Sequence, residues 1–306
     1  MSAARYDNLL AVLHATFWPS GTAAVRHLFF LPSLLLVGLV SFVPLGYALV
    51  QSFFRSKYFA IGRFVGIQNY IDLFTGDNGV GRVINTIIFV AGSLAIAMPL
   101  GIALALALNT KIWGRDLLRS ILFLPWLIST LVAAMLWSWL LNAQFGPVAA
   151  AAASLGISLP SPFTSPSLAM PTVVVVSAWY SYPLVMVFIL AALQTIPADL
   201  YEAAQLGGAS ALQRFAVITL PLIKNTILVS LVLTSLAAFN GVTLLFVMTG
   251  GGPIGRTETI ALKVLQEGTK FYRMGLASAG SIVLFALNLA VTVAYARVLR
   301  GSHEGA

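Results

Sequence analysis

Five stretches of the chain, 28–50, 83–109, 120–198, 225–255 and 274–296, contain no Asp, Glu, Lys, Arg or His. An ionised side chain at the middle of a bilayer costs roughly 2.5–3.5 kcal/mol even on the lenient insertion scale, so such runs are where a chain can cross hydrocarbon. A helix needs about 20 apolar residues to cross about 30 Å, and every run reaches that length. The third is long enough for two crossings. Its middle, 142–167, gathers Asn142, Gln144, Gly146, Pro147, Pro160, Pro162 and Pro166, which end helices or prefer water. The chain therefore reads as an all-α, polytopic membrane protein with six transmembrane helices, near 28–50, 83–108, 120–141, 168–193, 223–249 and 276–298.

Composition agrees and closes other classes. Hydrophobic residues make up 59% of the chain, charged residues 8%, and the mean hydropathy is +0.94. With no cysteine there are no disulfides, thiolate metal sites or cysteine nucleophiles. The net charge of +8 comes from 17 Lys and Arg scattered in ones and twos beside apolar runs, which is the pattern of membrane flanks and not of a nucleic-acid surface. His14, His27 and His303 lie near the ends without acidic or serine partners at a recognisable spacing, so no catalytic or metal-binding residue is assigned. The glycine-rich segment 250–257 lacks the lysine of a phosphate-binding loop and reads as a turn. The charge-free spans also speak against a carrier driven by a proton relay.

Residues 1–27 read as a cytoplasmic tail or, around 9–18, an interfacial helix, without the order of a cleaved signal peptide; residues 28–300 form the six-span domain, and 301–306 a short tail. An inside N-terminus places nine Lys and Arg inside and eight outside, which barely decides the orientation. The short loops favour it: 109–119 holds three basic residues and 142–167 none. Both termini are then cytoplasmic.

The loop 194–221 has an internal order that mere solvation does not require. Pro197 suits the start of a helix, Asp199 and Glu202 sit near its positive end, and Gly207-Gly208 supplies a stop. Ser210 and Gln213 have the spacing of a capping box for a second helix that runs through Phe215 and stops before Pro221. Leu200, Ala203 and Ala204 are left to pack against another protein. Glu202-Ala203-Ala204, Gly208, Ile218 and Leu220-Pro221 resemble the EAA loop of membrane subunits of binding-protein-dependent ABC importers, seven fixed positions falling within 20 residues. Gly207 stands where that family often has Asp, which implies a looser turn and a lost acidic contact.

Further segments are similar to the carbohydrate branch of the family, of the maltose and glycerol-phosphate type: 64–70 with Asn85-Thr86, Leu124-Pro125-Trp126, 179–183, 249–253 with Thr257, and 275–279. The resemblance implies a non-catalytic permease subunit of the bacterial inner membrane that imports a sugar, such as an oligosaccharide or a disaccharide like trehalose. Implied partners are a second permease, two cytoplasmic ATPase subunits that carry ATP and Mg, and an extracytoplasmic sugar-binding protein. This chain itself binds no cofactor. Alternatives are the same architecture importing a non-sugar solute, and a membrane scaffold or channel subunit that transports nothing.

A sugar path needs hydroxyl, amide and aromatic groups in place of charge. Ser177 and Ser181 lie four apart on span four beside Tyr180, Trp126 and Thr130 repeat that spacing on span three, and Phe239, Asn240 and Gly241 fall within span five. The resemblance makes these the candidate path residues. Each has a structural rival: Ser and Thr bond their own helix, Gly marks close helix contact, Trp anchors at interfaces, and Asn pairs between helices.

Overall fold

The computed structural model describes residues 22–58, 60–110 and 113–301. The expected interfacial segment at 9–18 and the tail 302–306 lie outside the described residues. The chain divides between Val50 and Gln51 into two compact units. The described part of the first is almost all of one helix, α1 (Thr22–Gln51), which tolerates Pro32 and Pro44 in its interior. Its stretch Phe30–Gln51 is long and apolar enough to cross a membrane.

The second unit opens with a feature the helical reading of the sequence does not contain. Strands β1 (Phe54–Lys57) and β2 (Ala60–Phe64) pair antiparallel, with Phe54 opposite Phe64 and Arg55 opposite Arg63. The two phenyl rings meet edge to face at 5.4 Å. A short helix, α2 (Gln68–Thr75), follows, and its Asn69 amide donates to the carbonyls of Ser52 (2.7 Å) and Phe54 (2.9 Å), fixing the hairpin's root.

The centre of this unit is the pair α3 (Gly79–Asn109) and α7 (Ala169–Gln194). In lipid, helices gain nothing by hiding apolar surface from a solvent that is itself apolar, so they associate by close packing. Ala97, Gly101 and Ala105, four apart on α3, supply the flat face. A Cβ at Gly101 would stand 2.7 Å from Val185 Cβ and 3.0 Å from the Tyr182 carbonyl oxygen, so glycine is required for this approach. Around the pair sit Phe89, Val173, Leu245 and Leu262 in one cluster, and Leu108, Met186, Ile189 and Ile223 in another, all at or below 2% exposure.

Between α3 and α7 lie α4 (Arg115–Leu127), α5 (Thr130–Leu140) and α6 (Pro147–Ser154). The third span was expected to be one helix over 120–141, but its axis turns by 97° between α4 and α5. Ile128 and Ser129 are extended, and the Ser129 hydroxyl accepts from the Leu131 amide at 3.3 Å, capping a new helix start inside an apolar run. The loop 142–167 contains α6, opened by Pro147 in its first turn and carried by a run of alanines.

After α7 come α8 (Ala198–Leu206), α9 (Ala211–Arg214) and a π-helical turn, Phe215–Thr219, leading into α10 (Leu220–Phe239). The second loop helix therefore does not stop before Pro221. The wide turn, closed by the Leu220 amide on the Phe215 carbonyl, lets the helix continue past a residue that has no N–H to give and whose ring would strike a regular turn. The fifth span, expected to be unbroken to 249, ends at Phe239. Asn240 and Gly241 interrupt it before α11 (Val242–Met248). Helix α12 (Ile260–Thr269) and α13 (Met274–Gly301) complete the chain. Among the described residues five helices are long and apolar enough to span, six when the bent α4–α5 pair counts as one.

Candidate coupling loop and solute path

The 194–221 loop is held by local bonds at every turn. Pro197, extended at φ −59° and ψ 135°, precedes α8, with Asp199 in the first turn. At the other end Gly208 takes a left-handed φ of +79°; its amide donates to the Gln205 carbonyl and the Ala209 amide to the Ala204 carbonyl, both at 3.0 Å. These are the two bonds of a Schellman closure. Gly207 has an ordinary φ of −75°, and its amide donates to the Ala203 carbonyl. The turn is thus closed without the acidic residue, and the expected looseness is absent. The capping box forms as the sequence predicts: the Ser210 amide donates to Gln213 Oε1 at 2.7 Å, and the Gln213 amide to Ser210 Oγ at 3.3 Å.

Two side-chain bonds tie the loop's arms together. Arg214 Nη1 donates to Gln205 Oε1 at 3.1 Å, and the Tyr201 and Thr219 hydroxyls meet at 2.9 Å. The arms enclose a hollow of about 360 Å³ bounded by Ala204, Gly207, Gly208, Arg214, Val217 and Ile218. Glu202 and Ala203 are exposed beside it, as are Leu220 and Pro221 at the foot of α10. Leu206 is 91% exposed, Leu212 76% and Val217 73%, a larger apolar surface than Leu200 and the two alanines offered in the sequence reading. Three bare aliphatic side chains on a loop that is locally rigid leave surface for a partner to cover.

The path candidates are not gathered into one site. Trp126 and Thr130 do not share a helical face, because the break at Ile128–Ser129 separates them. The Trp126 ring lies 5.3 Å from Phe123. Ser181 Oγ donates to the Ser177 carbonyl at 2.8 Å, so those two serines do share a face of α7, with the hydroxyl turned to its own helix. The Tyr180 hydroxyl donates to the Ile128 carbonyl at 3.3 Å, satisfying a backbone acceptor freed by the α4–α5 break. Phe239 packs beside the Phe89 cluster, and Gly241 connects α10 to α11.

Asn240, exposed at the end of α10, borders a cleft of about 550 Å³ whose other walls come from α11, α12 and α13. Ser177, Tyr180, Ser181, Trp126 and Thr130 do not line it; Leu236, Ser281, Phe285 and Asn288 do. Asn288 went unnoticed in the sequence, although an amide in the middle of the charge-free run 274–296 is the same signal that singled out Asn240.

A second missed feature is ionic. Arg82, in the first turn of α3, is 3% exposed, and Glu267, on α12, 1%. Arg82 Nε pairs with Glu258 Oε2 at 2.7 Å; Lys263 pairs with Glu267 at 2.8 Å and Arg273 with Glu267 at 2.6 Å. Arg82 also donates to the carbonyls of Leu73 and Asp77, and the Asn85 amide holds the carbonyls of Gly255 and Glu258. Basic residues that the sequence reading placed only as membrane flanks, with their acidic partners, thus lock the 250–258 turn and α12 onto the start of α3.

Comparison with known proteins follows the same line. Residues 97–302 match the binding-protein-dependent transport system inner membrane component family. The chain is 35% identical over 240 residues to the trehalose/maltose transport system permease of Thermococcus litoralis, covering 78% of this chain and 80% of that protein. It is 31% identical to the sulfoquinovosyl glycerol transport system permease of Agrobacterium fabrum, covering 88% of each. It is 33% identical to the sn-glycerol-3-phosphate transport system permease of Brucella abortus, covering 85% of this chain and 89% of that one. A chain from the crystal structure of a bacterial ABC transporter that imports the acidic polysaccharide alginate has the same fold, with a TM-score of 0.80 at 23% identity over 92% of this chain and 96% of the other. Fold, family match and the identity to full-length relatives agree: this chain belongs to the family of inner membrane components of binding-protein-dependent transport systems.

Proposed function

We propose that the chain is one transmembrane subunit of an ATP-driven importer for a neutral sugar, an oligosaccharide or a disaccharide such as trehalose. Its 194–221 loop transmits closure of partner ATPase subunits to the spans. The observation that carries the coupling role is the loop itself: a locally closed helix–turn–helix that presents Glu202, Ala203 and three bare aliphatic side chains around a hollow. In this reading a second permease completes the pathway, two ATPase subunits hold ATP and Mg, and an external binding protein delivers the sugar. The loop 194–221 and both termini are cytoplasmic. Glu202, Ala203, Ala204, Gly208, Ile218, Leu220 and Pro221 form the docking element, and Asn240 borders the path.

The relatives include systems named for neutral and for anionic solutes. No Lys or Arg lines the cleft beside Asn240, which favours a neutral one, since an anion in a low-dielectric cleft needs a counter-charge. The test is ATPase stimulation and uptake by the co-expressed complex in proteoliposomes, with trehalose, maltose and sn-glycerol-3-phosphate offered in parallel. A neutral sugar is expected to drive both. Glu202→Lys is expected to abolish both with the spans still inserted. Stimulation by glycerol phosphate alone overturns the neutral-sugar assignment, and normal coupled uptake in Glu202→Lys overturns the coupling role.

A further inference from the structure

The cleft beside Asn240 has a second polar wall. Ser281, Leu284, Phe285 and Asn288 fall at i, i+3, i+4 and i+7 on α13, hence on one face, and all four line the cleft. The polar groups there share one chemical property. Asn240 Nδ2 donates to the Leu236 carbonyl at 2.8 Å, Asn288 Nδ2 to the Leu284 carbonyl at 2.8 Å, and Ser281 Oγ to the Ala277 carbonyl at 3.0 Å. One N–H of each amide and the serine hydroxyl proton are given to the residue's own helix, and only an NH₂ or OH can give to a carbonyl, so the orientation of both amides is fixed by chemistry. What remains unspent on these residues is three acceptor oxygens, two amide and one hydroxyl, together with the second N–H of each amide.

Asn288 Oδ1 is buried and has no hydrogen-bond partner. An unpaired buried acceptor is unfavourable, and an amide on a spanning helix could be replaced by leucine at no loss of packing volume. A ligand that supplies hydrogen-bond donors gives the residue a reason to be there. A cation would supply attraction to the oxygens, but no carboxylate lines the cleft to balance its charge. A neutral molecule dense in hydroxyl groups fits, with Phe285, Leu236 and Val242 as apolar walls for its ring faces.

We infer that Asn288 on α13 is a second solute-contacting amide, accepting hydrogen bonds from a neutral polyhydroxylated solute across the cleft from Asn240. This rests on the importer reading above and adds the last helix to the solute path. Ser281, two turns earlier on the same face, marks the direction in which the contact surface continues.

The absence of native cysteine makes substrate protection a clean test. Asn240→Cys, Ser281→Cys and Asn288→Cys are made singly in the assembled complex, and the rate of thiol labelling is measured with and without trehalose or maltose at saturation. In parallel, Asn288→Leu and Asn288→Gln are assayed for uptake and complex assembly. Slower labelling at 281 and 288 in the presence of sugar is expected. Uptake is expected to fall about tenfold in Asn288→Leu, the size of one lost hydrogen bond to a buried group, with complex assembly retained and partial recovery in Asn288→Gln. Protection at 240 without protection at 281 or 288 overturns this inference and leaves the importer reading standing. No protection at any of the three, in a complex that accumulates neither sugar, overturns both. Should Asn288→Cys fail to assemble, Ser281→Cys carries the same decision, and unchanged uptake kinetics in a well-assembled Asn288→Leu complex also sinks it.

Discussion

Gly208 and Gly207 are neighbours in sequence with opposite requirements, and their contrast isolates the turn of the proposed coupling loop. Gly208 sits at φ +79°, where a Cβ is penalised by its own backbone, and nothing lies within 4 Å of the position such an atom would take. The cost of Gly208→Ala is therefore purely conformational, about 1–2 kcal/mol, and higher for a β-branched side chain. Gly207 has φ −75°, and a Cβ there would meet the Ala204 and Ala203 carbonyl oxygens at 3.5 and 3.6 Å, which is ordinary contact. Gly207→Ala should cost little or nothing. A loss of one to two kcal/mol shifts a local equilibrium by roughly 5–30-fold. If the Schellman closure is what presents Glu202 and Leu206 to the ATPase subunit, uptake should fall in the order Gly208, Asn, Ala, Val at this position, because Asn tolerates the left-handed region better than other side chains. Sugar-stimulated ATPase activity should track it while basal activity and membrane insertion stay constant. The assay is initial uptake and ATPase rate in proteoliposomes of the full complex, normalised to assembled permease. Indistinguishable rates for Gly208→Val and Gly207→Ala would refute the reasoning.

Two more outcomes follow from features already described. On intact cells an impermeant thiol reagent should label Ser158→Cys and spare Ser210→Cys; the reverse pattern inverts the topology and removes the coupling role. Glu258→Gln, which leaves the Arg82 guanidinium buried without its counter-charge, should destabilise the purified complex by about 3 kcal/mol in thermal unfolding, whereas Asp72→Asn in the exposed Arg55–Asp72 pair should change it by less than about 1 kcal/mol; equal shifts for the two variants contradict the assigned burial.

Much of this architecture was legible because hydrocarbon enforces a crude rule. Charge-free runs located every span, and Ser210 with Gln213 announced a helix start that the structure contains. Departures from that reading have identifiable causes. Ser129 is an N-cap, but in a run of apolar residues one serine gives no sign that it begins a helix. Pro221 normally marks a stop, and only a wider turn upstream, which no single residue announces, lets the helix pass it. The hairpin depends on Asn69 reaching back 15 and 17 residues to the Phe54 and Ser52 carbonyls, a tertiary bond with no local signature. Arg82 and Glu258 are 176 residues apart, so neither reveals that the other will accompany it into the interior. The candidate path suffered from the same blindness: helical spacing joined Trp126 to Thr130 across a break, and Asn288 was missed because the resemblance pointed to path residues only on spans three, four and five.

The π-turn before Pro221 joins loop and span into one mechanical member. From Ala211 to Phe239 the helix is continuous over 29 residues, a rod of about 40 Å that ends where Asn240 and Gly241 interrupt it. A rod of that length tilted by about 10° at its foot sweeps its far end through about 7 Å, more than the diameter of a water molecule and comparable to the width of a sugar ring. Had Pro221 ended the helix, a joint would stand there, and force applied at Ser210 would dissipate in its bending. Instead the yielding point lies at the far end, between α10 and α11, beside the cleft. Under the proposed coupling role, a push received at the loop would be spent on changing the shape of that cleft.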